Sequence, residues 1–383
     1  MEKKNILVAI DKFKGSLTSL EAAEAVCRGF EAARPGGCEF RTIEIADGGD
    51  GSLEVLQKRI DGAYPEEIPV HDPLGKSVCS NILLYTGAGG ECAFIEMAKV
   101  SGLEMLAKDE RNPLRTSTYG MGEAIREAVR MGASTVTLSI GGSATNDGGA
   151  GMLQALGYRF YDTVGVVIGA PICGGDLMRI ARIEKPETGN GLELLQGVEF
   201  KVICDVTNPL LGQTGATAVY GPQKGADEKA LELLEAGLAN YAAVAEGSLG
   251  VAPHCKDIPG AGAAGGVGYA GLAFLGARLL PGWKFFAEVT ALEDGVKWAD
   301  LVVTGEGSLD SQSLSGKVVS GVLELCAVHK KEVLVLCGVS KLSGQKIRCR
   351  SIASLGYPLE VCMSDASRLL ERLAYEEGLM KEA

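Results

Sequence analysis

Carboxylates and ammonium groups stand where apolar runs give way to glycine-rich stretches: Asp11, Asp47, Asp50, Asp147, Asp205, Glu306 and Asp310, with Lys14, Lys224 and Lys317. Carboxylates of this kind hold Mg2+ and accept a hydroxyl proton, while lysines offset phosphate charge, and phosphoryl transfer needs both. Between Ile140 and Gly151 the text IGGSATNDGGAG sets Ser143, Thr145, Asn146 and Asp147 among glycines. Glycine lets a backbone wrap a phosphate closely and hydroxyls donate to its oxygens, so the stretch reads as an anion-binding loop. A tight strand-to-helix turn accounts for some of those glycines but not for the polar cluster. Each acid also has a plainer alternative, capping the helix that follows, and Lys12 and Lys14 have one as solvated surface charges. Taken together the set points to a kinase more than to a hydrolase.

The elements that must position these groups follow one pattern, a β-branched run, a glycine-acid loop and then helical periodicity, which is the signature of α/β folds with parallel strands. NILVAI (5–10) is nearly all apolar, as a strand buried on both faces should be, and ends at Asp11. Ser16 or Thr18 can cap a helix in which Leu20, Ala23, Val26 and Phe30 recur at helical spacing as core. The unit returns as RTIEIA before Asp47 to Gly51, as STVTLSI before the 141–151 loop, and as ADLVVT before the loop GEGSLDSQSLSGK. Residues 64–105 read instead as alternating strands joined by glycine turns, an antiparallel region; 160–199 is looser; and EVLVLCG is a buried strand before a terminal helix from about Ser364.

Other nucleotide motifs are missing. The nearest approach to G-x-x-x-x-G-K-S/T, Ser311 to Val318, lacks the first glycine and the final hydroxyl, and no G-x-G-x-x-G follows the first strand. That disfavours a P-loop NTPase and a hydride-transferring enzyme of hydroxy acids. At 383 residues, 46% hydrophobic and 22% charged, the chain can bury two cores. Its formal net charge of -12 argues against nucleic acid and anionic membranes as partners. The run of about six apolar residues before Asp11 is short for a signal peptide, and no run approaches the roughly 20 residues of a membrane span. A cytoplasmic protein is expected. Eleven cysteines without C-x-x-C spacing and His71, His254 and His329 far apart suggest reduced thiols and no zinc site.

The blocks Asp11-Lys-Phe-Lys14-Gly15-Ser16-Leu, Ala46-Asp47-Gly-Gly-Asp50-Gly, Thr116-Ser117-Thr118-Tyr-Gly120, Gly-Gly-Ser143-Ala-Thr-Asn-Asp147-Gly-Gly-Ala-Gly-Met-Leu and Cys204-Asp205-Val-Thr-Asn208-Pro-Leu stand in this order. Gly221-Pro-Gln-Lys224-Gly-Ala, Gly262-Ala-Ala-Gly265-Gly266-Val-Gly268 and Thr304-Gly-Glu306-Gly-Ser-Leu-Asp310-Ser-Gln312 follow them. This series resembles the type I glycerate kinases from about residue 5 to residue 360. The resemblance implies transfer of the γ-phosphoryl of ATP to D-glycerate, 2-phosphoglycerate being the favoured product, with Mg2+ as the metal; it leaves a homodimer open. It also implies two α/β domains with mainly parallel sheets, the second inserted in the first, and an active-site cleft between them. Residues 1–65 with 285–383 are expected to form a Rossmann- or flavodoxin-like domain, and 66–284 the inserted one. Many members carry Arg where this chain has Ser308 and proline where it has Val319, so another cation must serve if that arginine neutralises phosphate or carboxylate.

By chemistry, Asp205 or Asp310 is assigned the base that takes the hydroxyl proton, with Lys14 beside the phosphate. Asp47, Asp50 and Glu306 are assigned to Mg2+. Substrate and phosphate contacts are expected from Asp11, Ser16, Thr116, Ser117, Gly142, Ser143, Thr145, Asn146, Lys224, Gly265 and Gly266. A two-lobed binding protein for hydroxy acids, which would need no clustered carboxylates, is the competing class.

Overall fold

The computed structural model describes residues 3–44, 51–87, 89–186, 195–310, 313–314, 318–342 and 347–380. The chain packs as two compact units, Met1–Asp47 together with Pro281–Ala383, and Gly48–Leu280. In chain order the first unit opens with β1 (Lys4–Ile10), α1 (Ser19–Ala33) and β2 (Cys38–Thr42). The second unit begins with α2 (Ser52–Arg59), β3 (Tyr64–His71), β4 (Ser77–Gly87), β5 (Gly90–Glu96), α3 (Tyr119–Arg130), β6 (Thr135–Ser139) and α4 (Ala150–Ala155). It continues with β7 (Arg159–Tyr161), β8 (Arg182–Glu184), β9 (Glu199–Ile203), α5 (Ala216–Tyr220), α6 (Glu228–Leu249), α7 (Ala263–Phe274) and β10 (Arg278–Leu280). The chain then returns to the first unit through α8 (Gly282–Val289), α9 (Leu292–Trp298), β11 (Leu301–Leu309), α10 (Val318–Val328), β12 (Glu332–Ser340), β13 (Cys349–Ser351), α11 (Leu359–Ser364) and α12 (Ala366–Leu379).

In the first unit the described strands make one parallel sheet in the order β13-β12-β11-β1-β2. Counted within the unit this is the 2-1-3-4-5 order of flavodoxin-like folds, in which the winding direction reverses between the first and third strands, here β1 and β11. Ile6 to Ile10 of β1 are all buried, because helices cover both faces. Ile6, Val8 and Ile10 join Val26 and Phe30 of α1 and Leu370 and Leu373 of α12, whereas Leu7 faces Gly295 of α9. Thr18 caps α1 in a capping box: its Oγ1 accepts from the Glu21 N–H at 3.2 Å and its own N–H donates to Glu21 Oε2 at 2.8 Å.

Strand β11 runs on through Gly305 to Leu309, where the sequence reads as a loop. A Cβ on Gly305 would lie 1.7 Å from the Leu336 carbonyl oxygen, so glycine here lets β12 come close and carries the strand forward, with Ser308 opposite Val339. Glu306 is therefore presented from a strand.

In the second unit the described strands run β10-β9-β6-β5-β4-β3. β5, β6, β9 and β10 are parallel, and β4 and β3 continue the same sheet antiparallel from β5. The antiparallel stretch anticipated at 64–105 is thus the edge of a mixed sheet and not a separate layer. Residues 160–199 contribute only the short β7-β8 ribbon and a 3-10 turn, Gly174–Arg179, among their described elements. Helix α2 belongs to this unit rather than the first, because buried Glu96 at the end of β5 accepts the N–H groups of Gly51 (3.0 Å) and Leu53 (3.1 Å) at the start of α2. A carboxylate there satisfies donors that a helix N-terminus leaves unpaired. Among the described residues no helix is long and apolar enough to cross a membrane.

Helices α1 and α12 touch most closely at Gly29, where an added Cβ would sit 2.3 Å from the Glu371 carbonyl oxygen and 2.7 Å from Ala374 Cβ. Gly29→Ala raises intrinsic helix propensity by about 1 kcal/mol, yet it should lower stability by about 3 kcal/mol or more through overpacking. Urea unfolding of the two proteins measures this, and an unchanged or raised midpoint would refute the close packing.

Candidate functional site

The second unit gathers its polar loop residues at the carboxyl end of β6. After Ser139 the chain is pinned to the segment that follows β5: the Leu103 N–H donates to the Gly142 carbonyl (2.8 Å), and the Ala144 N–H to the Ser101 carbonyl (2.9 Å). Asp147, fully buried, is the hub. Its Oδ2 accepts from the Thr118 N–H and the Thr118 hydroxyl, both at 2.8 Å, and from the Gly151 N–H at 3.3 Å; its Oδ1 accepts from the Gly149 N–H at 3.1 Å. Because the Thr118 hydroxyl oxygen already accepts from the Met152 N–H (2.9 Å), its single proton goes to Asp147, which therefore acts as a carboxylate. Burial pushes the Asp147 carboxyl above its ordinary value, and these four donors oppose that push.

Lys224 enters the same basin from a one-turn helix, Pro222–Lys224, that starts on proline and ends on Gly225 with φ +94°. Its side chain is 2% exposed, and Nζ donates to Ser143 Oγ at 2.8 Å and to the Thr145 carbonyl at 2.6 Å. Burial depresses its pKa from 10.5 to about 7, with the Asp147 carboxylate pulling the other way. Since Ser143 Oγ accepts from Lys224, its own proton is left to donate, next to exposed Gly142.

Neighbouring polar residues of this cluster bond into the protein. Thr116 Oγ1 donates to the Ala144 carbonyl (3.0 Å), Ser117 Oγ to the Ile172 carbonyl (2.5 Å) and Asn146 Nδ2 to Thr217 Oγ1 (3.0 Å). Buried Thr145 Oγ1 and Asn146 Oδ1 have no hydrogen-bond partner among the described residues. The loop also rests on the start of α7, where Ala264, Gly265 and Gly266 have φ of +54°, +66° and +97°. The Gly148 N–H donates to the Gly265 carbonyl (2.9 Å), and a Cβ on Gly265 would sit 2.1 Å from the Thr145 carbonyl oxygen. Of these three left-handed residues Ala264 alone is strained, since glycine adopts positive φ freely, and strain of that kind gathers at functional sites. Half-buried Asp205 follows β9, the parallel neighbour of β6, and so lies at the same end of the sheet. Asn208 ties its loop together: the Tyr220 hydroxyl donates to Asn208 Oδ1 (2.6 Å), and Asn208 Nδ2 donates to the Thr214 carbonyl (2.7 Å).

In the first unit Asp11, Lys14, Ser16, Glu306 and Asp310 sit at the carboxyl ends of β1 and β11, the pair between which the winding reverses. Such switch points are where open α/β sheets bind ligands. The Asp11 N–H donates to the Gly305 carbonyl (2.9 Å), joining the two loops. Lys14 is exposed beside left-handed Gly15, while Ser16 Oγ donates to the Met363 carbonyl (2.9 Å). Asp310 forms a turn with Ser313, its N–H donating to Ser313 Oγ (3.0 Å) and its Oδ1 accepting the Ser313 N–H (3.2 Å). Asp47, Asp50 and Lys317 lie outside the described residues. Asp11, Glu306 and Asp310 are hard oxygen donors of the type Mg2+ takes, and that ion commonly uses one or two carboxylates and completes its shell with water and phosphate. Among the described residues no group of three or more His, Cys, Asp or Glu converges on a metal position.

Sequence reasoning underrated Thr118 and Asp147, whose joint role comes from a hydrogen bond spanning 29 residues. It also missed Glu96, whose only signal was an acid closing an apolar strand. The Lys224 geometry makes a prediction for stability. Between about pH 7 and 10.5 the unfolded chain still binds the Lys224 proton that the folded protein has released, so folding gains as pH rises through that window. Below it both states are protonated and burial opposes folding in full. Stability measured by chemical denaturation should therefore rise with pH in wild type relative to Lys224→Met, and parallel curves would contradict this buried ammonium.

Against this geometry the comparisons are specific. The family model described as the Glycerate kinase family matches residues 6–379. A glycerate kinase of Bacillus subtilis (strain 168) is 41% identical over 376 residues, covering 96% of this chain and 95% of its own. A glycerate 2-kinase of Escherichia coli (strain K12) is 42% identical over 334 residues, 87% of this chain and 84% of that one. A crystal structure of a candidate glycerate kinase 2 from Salmonella typhimurium LT2 superposes with a TM-score of 0.80 at 37% identity, covering 98% of both chains. Eight ordered sequence blocks, the mixed and parallel sheets and these matches agree: the chain is a phosphotransferase and belongs to the glycerate kinase family.

Proposed function

We propose that the enzyme transfers the γ-phosphoryl group of ATP to the 2-hydroxyl of D-glycerate, releasing ADP and 2-phosphoglycerate, with Mg2+ required. The observation that carries this reading is the family match across residues 6–379, and the relative described as a glycerate 2-kinase favours the 2-position. The geometry is compatible with it. Phosphoryl transfer depends on positioning and on neutralising the charge spread over the phosphoryl oxygens, which calls for donors and cations held rigidly in advance.

Ser143 offers an O–H fixed by a buried ammonium, and the backbone of Gly142 and its neighbours is pinned to the segment beside β5, so this loop suits the carboxylate of glycerate or a phosphate. Lys224, being buried, acts on the ligand through Ser143. Lys14 is exposed at the switch point and serves as a cation for the phosphates. Asp205 or Asp310 takes the proton of the attacking hydroxyl. Glu306 would hold Mg2+, which would offset the charge of the phosphates; Asp47 and Asp50, assigned to the ion from the sequence, lie outside the described residues. Thr116, Ser117, Thr145, Asn146, Gly265 and Gly266 shape the loop, and Asp11 and Ser16 hold the turn that carries Lys14.

A coupled assay for glycerate-dependent ADP release, with NMR of the product, tests reaction and position together; a 3-phosphate product would overturn the regiochemistry and no release would overturn the function. Replacing the true base, Asp205→Asn or Asp310→Asn, should lower kcat by about 10²- to 10⁴-fold. Losses under about tenfold in both would remove both candidates. Since kcat/KM reports the free enzyme and the protonated Lys224 is the active form, kcat/KM should fall as pH rises through about 7. Lys224→Arg, which stays charged, should abolish that limb even if overall rate drops, and an unchanged limb would point to another group.

A further inference from the structure

Strand β12 carries Cys337 and the adjoining three-residue strand β13 carries Cys349, and their Sγ atoms stand 3.8 Å apart. Cys337 is fully buried, whereas Cys349 is half-buried and lines a cavity of about 390 Å³ with Ser340, Leu342, Ile347 and Arg350. One thiol is therefore reachable by a small reagent and the other waits directly behind it. Cys349 is in register with Val335, two residues before Cys337, so the thiols meet diagonally and closing Sγ to Sγ to the roughly 2.05 Å of a bond needs side-chain rotation and a shift of the strands.

The chemistry of the two thiols is unequal. Hydrogen bonding with Cys337 and Ser340 holds the Cys349 thiol below its ordinary value against the effect of burial. Burial instead pushes the thiols of Cys27, Cys173, Cys204 and Cys326 up to between about 11 and 12. A thiolate is the attacking species in exchange, and partial exposure beside a resolving thiol is the usual setting of redox-sensing cysteines.

The pair is linked by close packing to the switch-point loops. Residue 338, next to Cys337, is a glycine whose added Cβ would lie 2.4 Å from the Gly307 carbonyl oxygen. A Cβ on Gly307 in turn would lie 3.2 Å from Phe13 Cα and 3.3 Å from the Lys14 nitrogen. Cys337 itself stands in register with Glu306 on β11. A displacement of β12 towards β13 is thus passed through backbone contacts, with no side chain to absorb it, to Glu306 and Lys14.

We propose that Cys337 and Cys349 form an oxidation site at which a low-molecular-weight disulfide closes an intramolecular bond and thereby slows phosphoryl transfer. The Cys349 thiolate attacks the reagent disulfide, expelling one thiolate and leaving a mixed disulfide. The Cys337 thiol gives its proton to that departing thiolate and attacks the Cys349 sulfur, expelling the second reagent group as a thiolate, which takes a proton from solvent. The Cys349 thiolate and the Cys337 thiol are oxidised and one disulfide is reduced to two thiols. The effect on rate rests on the role proposed above for Lys14 and Glu306, whereas formation of the bond does not.

The test treats the reduced full-length protein with glutathione disulfide, blocks remaining thiols with N-ethylmaleimide, maps the cross-linked peptides and measures glycerate-dependent ADP release in parallel. Expected are a Cys337–Cys349 peptide pair and a turnover lowered by about fivefold or more, restored by dithiothreitol. Cys349→Ser and Cys349→Ala should keep their turnover under the same treatment, and circular dichroism checks that each folds. Absence of the cross-link, or its formation with another cysteine, overturns the site. A cross-link with unchanged turnover overturns the coupling. A reduced protein without any turnover overturns the assigned reaction instead, and peptide mapping then still decides the bond.

Discussion

A carboxylate withdrawn from water has to receive its hydrogen bonds from the protein, or its desolvation alone would unseat the fold around it. Asp147 receives four, from both donors of Thr118 and from the Gly149 and Gly151 N–H groups, and they come from two separate stretches of chain. Meeting that demand closes the 141–151 loop, sets the first turn of α4 and brings the Thr116 to Thr118 segment against it. It also provides the opposing charge that makes buried Lys224 tolerable, since the attraction between them offsets part of the desolvation of each. Remove the carboxylate and the ammonium loses its counter-charge; remove the ammonium and Ser143 loses the donor that occupies its oxygen.

The loop polarity therefore divides into two tasks. Thr116, Ser117, Thr118, Asn146 and Asp147 bond inward, and their hydroxyl and amide groups hold backbone to backbone. Ser143, buried beside exposed Gly142, accepts from Lys224 and keeps its own proton to donate. Rigid presentation is what transition-state stabilisation asks of a donor, because a group already oriented does not reorganise during the reaction. The left-handed run Ala264 to Gly266 fits the same scheme: its unusual backbone lets α7 abut the loop more closely than side chains would permit.

In the first unit the constraint is topological. A parallel sheet wound in both directions leaves an opening where the direction reverses, and here that opening is framed by the carboxyl ends of β1 and β11. Asp11, Lys14 and Asp310 lie there because their strands end there, and Glu306 is presented from the last pleats of β11. The glycines of β11 and β12 bring the backbones of these two strands and of the loop after β1 into direct contact, which carries any shift of β12 to the residues at the opening.

Much of this was legible in the sequence, for reasons of local physics. The apolar run at 5–10 announced a strand buried on both faces, Ser16 or Thr18 announced a helix start, and glycine-acid loops after β-branched runs announced parallel α/β architecture, since each signal reports only on neighbours along the chain. The polar residues of the 141–151 loop were also visible as a set. Tertiary structure alone decided which of them face inward, because the partners of Asp147, Lys224 and Asn146 lie 29, 81 and 71 residues away. It alone extended β11 through Glu306, through a close approach of β12 that glycine merely permits, and it alone moved α2 into the second unit, through Glu96, 45 residues from Gly51. Periodicity and turn chemistry write themselves into sequence; desolvation and the search of buried groups for partners are settled only when the chain has packed.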